Sequence, residues 1–149
     1  MTQTILTKEW VDTFNRSPLI GVITVNPDTL ESQINAVSWS RANEETGQIR
    51  IAVGHQSECI EYLQKGSPIT LGLIDQKGYY MFRGKAKLSD LKKDTIKYYV
   101  IDCLIEEIKD VMFYGGAISQ APTYIKTYDA SLAEKIDNEI YQALQAGWS

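Results

Sequence analysis

The run Gly54-His55-Gln56-Ser57 stands where a segment of alternating apolar residues, Ile49, Ile51 and Val53, hands over to a helix-forming segment that ends at Gly66. Such a junction suits an anion. Backbone N–H groups without intrahelical partners point outward there, and the helix dipole favours negative charge. Gly54 lets another group approach the backbone closely, and Ser57 can cap the helix. A phosphate-bearing ligand is the first chemistry these residues suggest. A second polar run, Ser38-Trp39-Ser40-Arg41, closes a segment that begins apolar at Ile34, as a strand does when it leaves a core and enters a site. Arginine presents a planar fork matched to phosphate, so Arg41 and Arg83 are the candidate clamps, with solvated surface charge as the plainer reading of both.

Other chemistries find little support. His55 is the single histidine, which excludes a multi-histidine metal site. Cys59 and Cys103 sit among apolar residues without CxxC spacing, which reads as two buried thiols rather than a disulfide framework or a zinc site. No GxSxG run occurs, and no nucleophile lies beside a base. Glu44-Glu45 and Glu106-Glu107 are sequence neighbours that point apart in an extended chain, so both pairs read as surface. Any catalysis would rest on a cofactor.

The elements that must position these residues are mostly strands. Extended segments are expected over Leu19 to Val25, Ile34 to Arg41, Ile49 to Gly54, Ile69 to Leu73, Tyr79 to Lys87 and Ile96 to Ile108; in the last, Leu104, Ile105 and Ile108 also fit a helix, and the β-branched and aromatic residues at its start decide for a strand. Leu19 to Val25 is apolar on both faces, as in a barrel strand covered outside by a helix or another subunit. Ile49, Ile51 and Val53 alternate with Arg50, Ala52 and Gly54, which predicts a half-buried third strand. Asp75 to Gly78 predicts a hairpin turn pairing Ile69, Leu71 and Leu73 with Tyr80, Phe82, Gly84 and Ala86. Three helices complete the set. One is capped by Thr7 and runs to Asn15, one follows Ser57, and one begins at Ser131 with Leu132, Ile136, Ile140 and Leu144 on one stripe. Residues 112 to 122 read as a loop.

The 149 residues make a single domain, 1–149, with 44% apolar and 23% charged residues, a composition that excludes a disordered chain. A net charge of −4 without a basic block argues against nucleic acid, and against a membrane surface as partner. No stretch approaches a membrane span, and the first residues lack the basic start and apolar run of a signal peptide, so a cytoplasmic protein is expected.

This order resembles the FMN-binding split barrel, the pyridoxamine 5′-phosphate oxidase-like superfamily, over roughly residues 19 to 108. The likeness rests on the opening strand LIGVITVN, the polar strand end SWSR, the run AVGHQS, the helix ending at Leu63 and the hairpin closing on Arg83-Gly84-Lys85-Ala86. It implies a mainly β fold, a split β-barrel of about six antiparallel strands with peripheral helices at the N-terminus, after the third strand and at the C-terminus. It further implies a homodimer with the FMN groove at the subunit interface. By position, Ser38, Trp39, Ser40 and Arg41 would line the flavin or its ribityl chain, while Val53, Gly54, His55, Gln56 and Ser57 would meet ribityl and phosphate. Many members carry Arg or Lys just after the serine; Glu58 and Cys59 stand there in this chain. The longer, basic C-terminus of the oxidases themselves is missing too, so their reaction is not implied. The resemblance implies an FMN-binding flavoprotein, with oxidoreductase chemistry on a small molecule as the expected activity. The alternative is a non-catalytic binder of FMN, haem or another planar ligand, with His55 as the axial haem candidate; a third reading is an interaction module with an empty groove.

Overall fold

The computed structural model describes residues 6–148, and among them the elements run α1 (Lys8–Phe14), β1 (Ile20–Val25), β2 (Ser32–Val37), β3 (Ser40–Asn43), β4 (Gln48–Gly54), α2 (Glu58–Gln64), β5 (Ile69–Asp75), β6 (Gly78–Leu88), β7 (Lys92–Lys93), β8 (Lys97–Asp110) and α3 (Ala130–Gln145). The strands form one antiparallel sheet of eight, ordered β2-β1-β5-β6-β8-β4-β3, with β7 paired to β8. The two strands at opposite ends of that order, β2 and β3, are joined only by Ser38 and Trp39. Two linking residues span at most about 11 Å from Val37 to Ser40, so the sheet must curl until its edges nearly meet. This is a split barrel. Its seam lies beside Ser38 and Trp39.

Six expected strands become eight for two reasons. The segment Ile34 to Arg41 breaks at Ser38-Trp39, because one continuous strand could not lie at both edges of the sheet, and Lys92–Lys93 adds a short strand against β8. The hairpin forms as expected, pairing Asp75 with Gly78, Leu73 with Tyr80, Leu71 with Phe82 and Ile69 with Gly84. Inside the barrel, Ile20, Val22, Ile49, Ile51, Leu71 and Phe82 are buried, with α1 closing the core through Phe14 and Trp10 against Phe82.

The third expected strand, β4, is buried on both faces rather than half-buried. Ala52 on its outer face meets Tyr98, Val100 and the stripe Ile136, Ile140 and Leu144, because α3 lies across β4 and β8. The stripe differs from expectation by one residue: Leu132 is exposed and Ala133 is buried in its place. At 100° per residue Leu132 falls roughly 85° from the middle of the buried face, whereas Ala133 falls within it. Ile140 is fully buried, and Ile140→Ala is expected to cost about 2–5 kcal/mol in urea denaturation. A negligible cost would make α3 peripheral.

Candidate functional site

The seam is walled by residues from five places. Asn35, Ala36 and Val37 come from β2, Ser38 and Trp39 from the crossing, Ala52, Val53 and Gly54 from the end of β4, and Ser57 from the approach to α2; Lys126 reaches in from the loop before α3. Together they bound an open groove of about 330 Å³, near the lower end of the range for small-molecule sites. Of the nine residues singled out from the sequence, Ser38, Trp39, Val53, Gly54 and Ser57 meet here.

The seam exists because β3 stops short. Its pairing with β4 runs from Asn43 opposite Gln48 to Ser40 opposite Ile51, and Trp39 O accepts one more bond from Ala52 N. Beyond that, β4 continues on β8 alone. His55 N donates to Lys97 O on the β8 side, so the alternation of a strand turns the Gly54 N–H toward the seam. A Cβ built on Gly54 would meet nothing within 4 Å, so this backbone faces open space. Asn35 Oδ1 is buried yet has no hydrogen-bond partner, although it belongs to the groove wall. A buried acceptor without a partner costs about 1–3 kcal/mol, which a donor group in the groove would recover.

Trp39 is held firmly. Its indole Nε1 donates to Asp137 Oδ1 at 2.7 Å, and the ring packs against the cluster of Ala52, Tyr98 and Ile136. Lys126 Nζ lies 4.8 Å from the Trp39 ring centroid, 3.4 Å from Ser38 Oγ and 3.8 Å from Asp137 Oδ1. It is the one charged residue in the groove wall among the described residues. Sequence reasoning missed it. Residues 123 to 130, between the expected loop and the expected last helix, gave no element, and a lone lysine in irregular chain carries no periodic signal.

The remaining expected residues sit elsewhere. Ser40 is fully buried and donates to Phe14 O at 2.7 Å, which fastens α1 to β3. Arg41 lies on the other side of the strand, donating to Asn15 O, Ser17 Oγ and Ser40 O, with its guanidinium 3.8 Å from the Tyr141 ring centroid. Neither enters the groove, because the break after Trp39 changes which face each residue presents. Arg83 pairs with Glu107 at 2.8 Å and is also outside it. His55 and Gln56 are exposed on the turn at the rim, His55 Nδ1 lying 3.2 Å from Lys97 O.

The start of α2 is weaker as an anion site than its sequence suggests. Ser57 occupies the N-cap position without a capping bond, its Oγ lying 3.3 Å from Cys59 Sγ. The His55 and Ser57 amides are committed to Lys97 O and Gly54 O. Glu58 and Glu61 place negative charge in the first turn. Burial pushes the Cys59 and Cys103 thiols up, so neither is a ready nucleophile at neutral pH.

No protein-family model matches the sequence, and no curated protein matches it. Solved structures do match in fold. A Lactobacillus delbrueckii protein described as a candidate pyridoxamine 5′-phosphate oxidase superposes with a TM-score of 0.61 at 18% identity, over 72% of this chain and 95% of that one. HupZ of Group A Streptococcus superposes with a TM-score of 0.59 at 17% identity, over 77% and 99% of the two chains. A NimC/NimA family protein of Clostridium acetobutylicum gives 0.56 at 12% identity, over 75% and 89%. At these identities the likeness concerns the fold. Strand order, the seam and these superpositions agree: the chain has the split-barrel fold.

Proposed function

We propose that the seam groove binds FMN and that the protein works as a homodimeric flavoprotein, passing electrons to or from a small molecule. The observation that carries this reading is the groove itself. It gathers a fixed indole, a serine hydroxyl, an open backbone at Gly54, an unpartnered amide oxygen at Asn35 and one cation, the groups a flat, polar, phosphate-bearing ligand calls for. In this reading Trp39 flanks the ring, Asn35 accepts from a ring or ribityl donor, and Ser38, Val53, Gly54 and Ser57 line the ribityl chain, with His55 and Gln56 at the rim. Bound flavin supplies reversible electron and hydride transfer; the protein orients it and limits access of water.

An adjoining surface supports the dimer. Leu19, just before β1, and Ile23, Ile34, Ile74 and Tyr79 on β1, β2, β5 and β6 form an apolar face, with Ile34 66% exposed and no helix over it among the described residues. Gly21 and Gly72 lie opposite each other within it, keeping it shallow. Asn35 and Ala36 belong both to this face and to the groove wall, so a second copy covering the face also borders the groove. An apolar interface of this kind suits a permanent dimer.

The test is spectroscopic. Protein purified and mixed with FMN is expected to retain a flavin spectrum through gel filtration and to sediment as a dimer. Ile34→Arg is expected to sediment as a monomer and to lose the flavin. A haem Soret band on the purified protein would favour the planar-ligand binder, and a monomeric wild type would remove the interface from the site.

A further inference from the structure

Two ends of the groove could receive a negative charge: the start of α2 beside Ser57, and the pair Ser38 and Lys126 beneath the loop that precedes α3. Taking the flavin-site reading above as its basis, the geometry points to the second. Lys126 is the groove's anion-recognising residue, and it makes the site selective for a phosphorylated ligand.

Each end can be weighed from its own groups. At α2 the helix is seven residues long, its first turn holds Glu58 and Glu61, and Ser57 faces Cys59 rather than making a cap. The nearby amides of His55 and Ser57 already donate within the fold. An anion placed there would face two carboxylates with few donors left. At the other end, Lys126 Nζ and Ser38 Oγ stand 3.4 Å apart and together offer an ammonium and a hydroxyl to one phosphate oxygen set. The Lys126 side chain is 29% exposed, so its charge is only partly screened by water.

Asp137 sets the strength of this grip. It lies 3.8 Å from Lys126, a loose ion pair, while its firm bond at 2.7 Å is the one it accepts from Trp39 Nε1. An arriving phosphate therefore competes with Asp137 for Lys126 without disturbing the tether that orients Trp39. Asp137 is a positioning residue: it steadies the indole and keeps Lys126 over the groove until a stronger anion takes it. The loop carrying Lys126 is tied to the barrel nearby by Tyr124, whose hydroxyl donates to Ser17 O at 2.7 Å. That tie fixes where the lysine can reach.

Riboflavin and FMN differ only by the phosphate, so the ratio of their affinities isolates this interaction from the rest of the site. Fluorescence titration of wild type is expected to give FMN at least about tenfold tighter than riboflavin, with the ratio shrinking as salt rises. Lys126→Met should bring the ratio close to one at unchanged melting temperature, and Lys126→Arg should restore most of it. Asp137→Asn, whose amide oxygen can still accept from Trp39, should raise the ratio several-fold by releasing Lys126. Ser57→Ala should leave it within about twofold. A Lys126→Met protein that keeps the wild-type ratio, or a ratio that collapses in Ser57→Ala instead, overturns the assignment and leaves the flavin site standing. A wild type that binds neither flavin overturns both.

Discussion

Gly84→Ala is expected to be the most damaging single methyl group in this protein, costing about 3 kcal/mol or more and leaving little folded material at 37 °C. Gly84 lies on β6 where its register with β8 slips, Arg83 pairing with Glu107 but Gly84 with Ile105. The slip is a bulge: Glu106 is the extra residue, and it drives the β8 backbone against β6. A Cβ on Gly84 would overlap the Leu104 carbonyl oxygen and lie 2.7 Å from the carbonyl carbon. Backbone cannot rotate away as a side chain can, so two central strands would have to part. Their pairing runs the length of the barrel wall, from Tyr80 opposite Asp110 to Leu88 opposite Ile101. Expression level and the urea midpoint read the effect directly; a midpoint within about 0.5 kcal/mol of wild type would mean that the strands separate freely there. Alanine at Gly54, where a Cβ meets nothing, is the matched control.

Arg50→Met should cost about 3–5 kcal/mol, the scale seen when one member of a buried polar network is removed. Arg50 is the buried cation on the outer face of β4, and its fork closes the end of α3. It donates to Leu144 O at 3.1 Å, Ala146 O at 2.5 Å and Gly147 O at 3.3 Å, and its Nε pairs with Asp102 at 3.3 Å. The guanidinium also lies 4.0 Å from the Trp148 ring centroid. A helix ends with unpaired carbonyls and partial negative charge, so a cation there answers both. Methionine would fill the space and leave three carbonyls and a carboxylate without their donor. Lysine keeps the charge without the fork, so Arg50→Lys should fall between the two proteins in denaturant stability. Equal stability of wild type and Arg50→Met would show that water replaces the network at no cost.

Much of the barrel was legible in the sequence because its signals are local. The Asp75 to Gly78 turn, the alternating Ile69, Leu71 and Leu73, and the long run of β-branched and aromatic residues in β8 each name their own structure. What stayed hidden depends on contacts distant in the chain. The break at Ser38-Trp39 follows from where β2 and β3 lie in the sheet, which alternation within one segment cannot reveal. The burial of β4 on both faces needs α3, more than seventy residues later in the chain. Arg50 read only as an alternating residue of a half-buried strand, because the helix end it caps is equally distant. The site was half visible for the same reason. Gly54 and Ser57 announce a strand-to-helix junction, and Ser38 and Trp39 a polar strand end; Lys126 reaches the groove, and Asp137 the Trp39 indole in its wall, only through the fold.

The central claim, that the seam groove holds a flavin, is tested most directly by filling the groove where the fold leaves it open. Gly54→Leu places an isobutyl group into space that no protein atom occupies near the backbone, so folding is expected to be preserved. FMN titration followed by flavin fluorescence should show binding in the micromolar range or tighter for wild type and a loss of at least about a hundredfold for Gly54→Leu, at unchanged melting temperature. Equal FMN affinity in the two proteins, or no FMN binding by the wild type, would contradict the account.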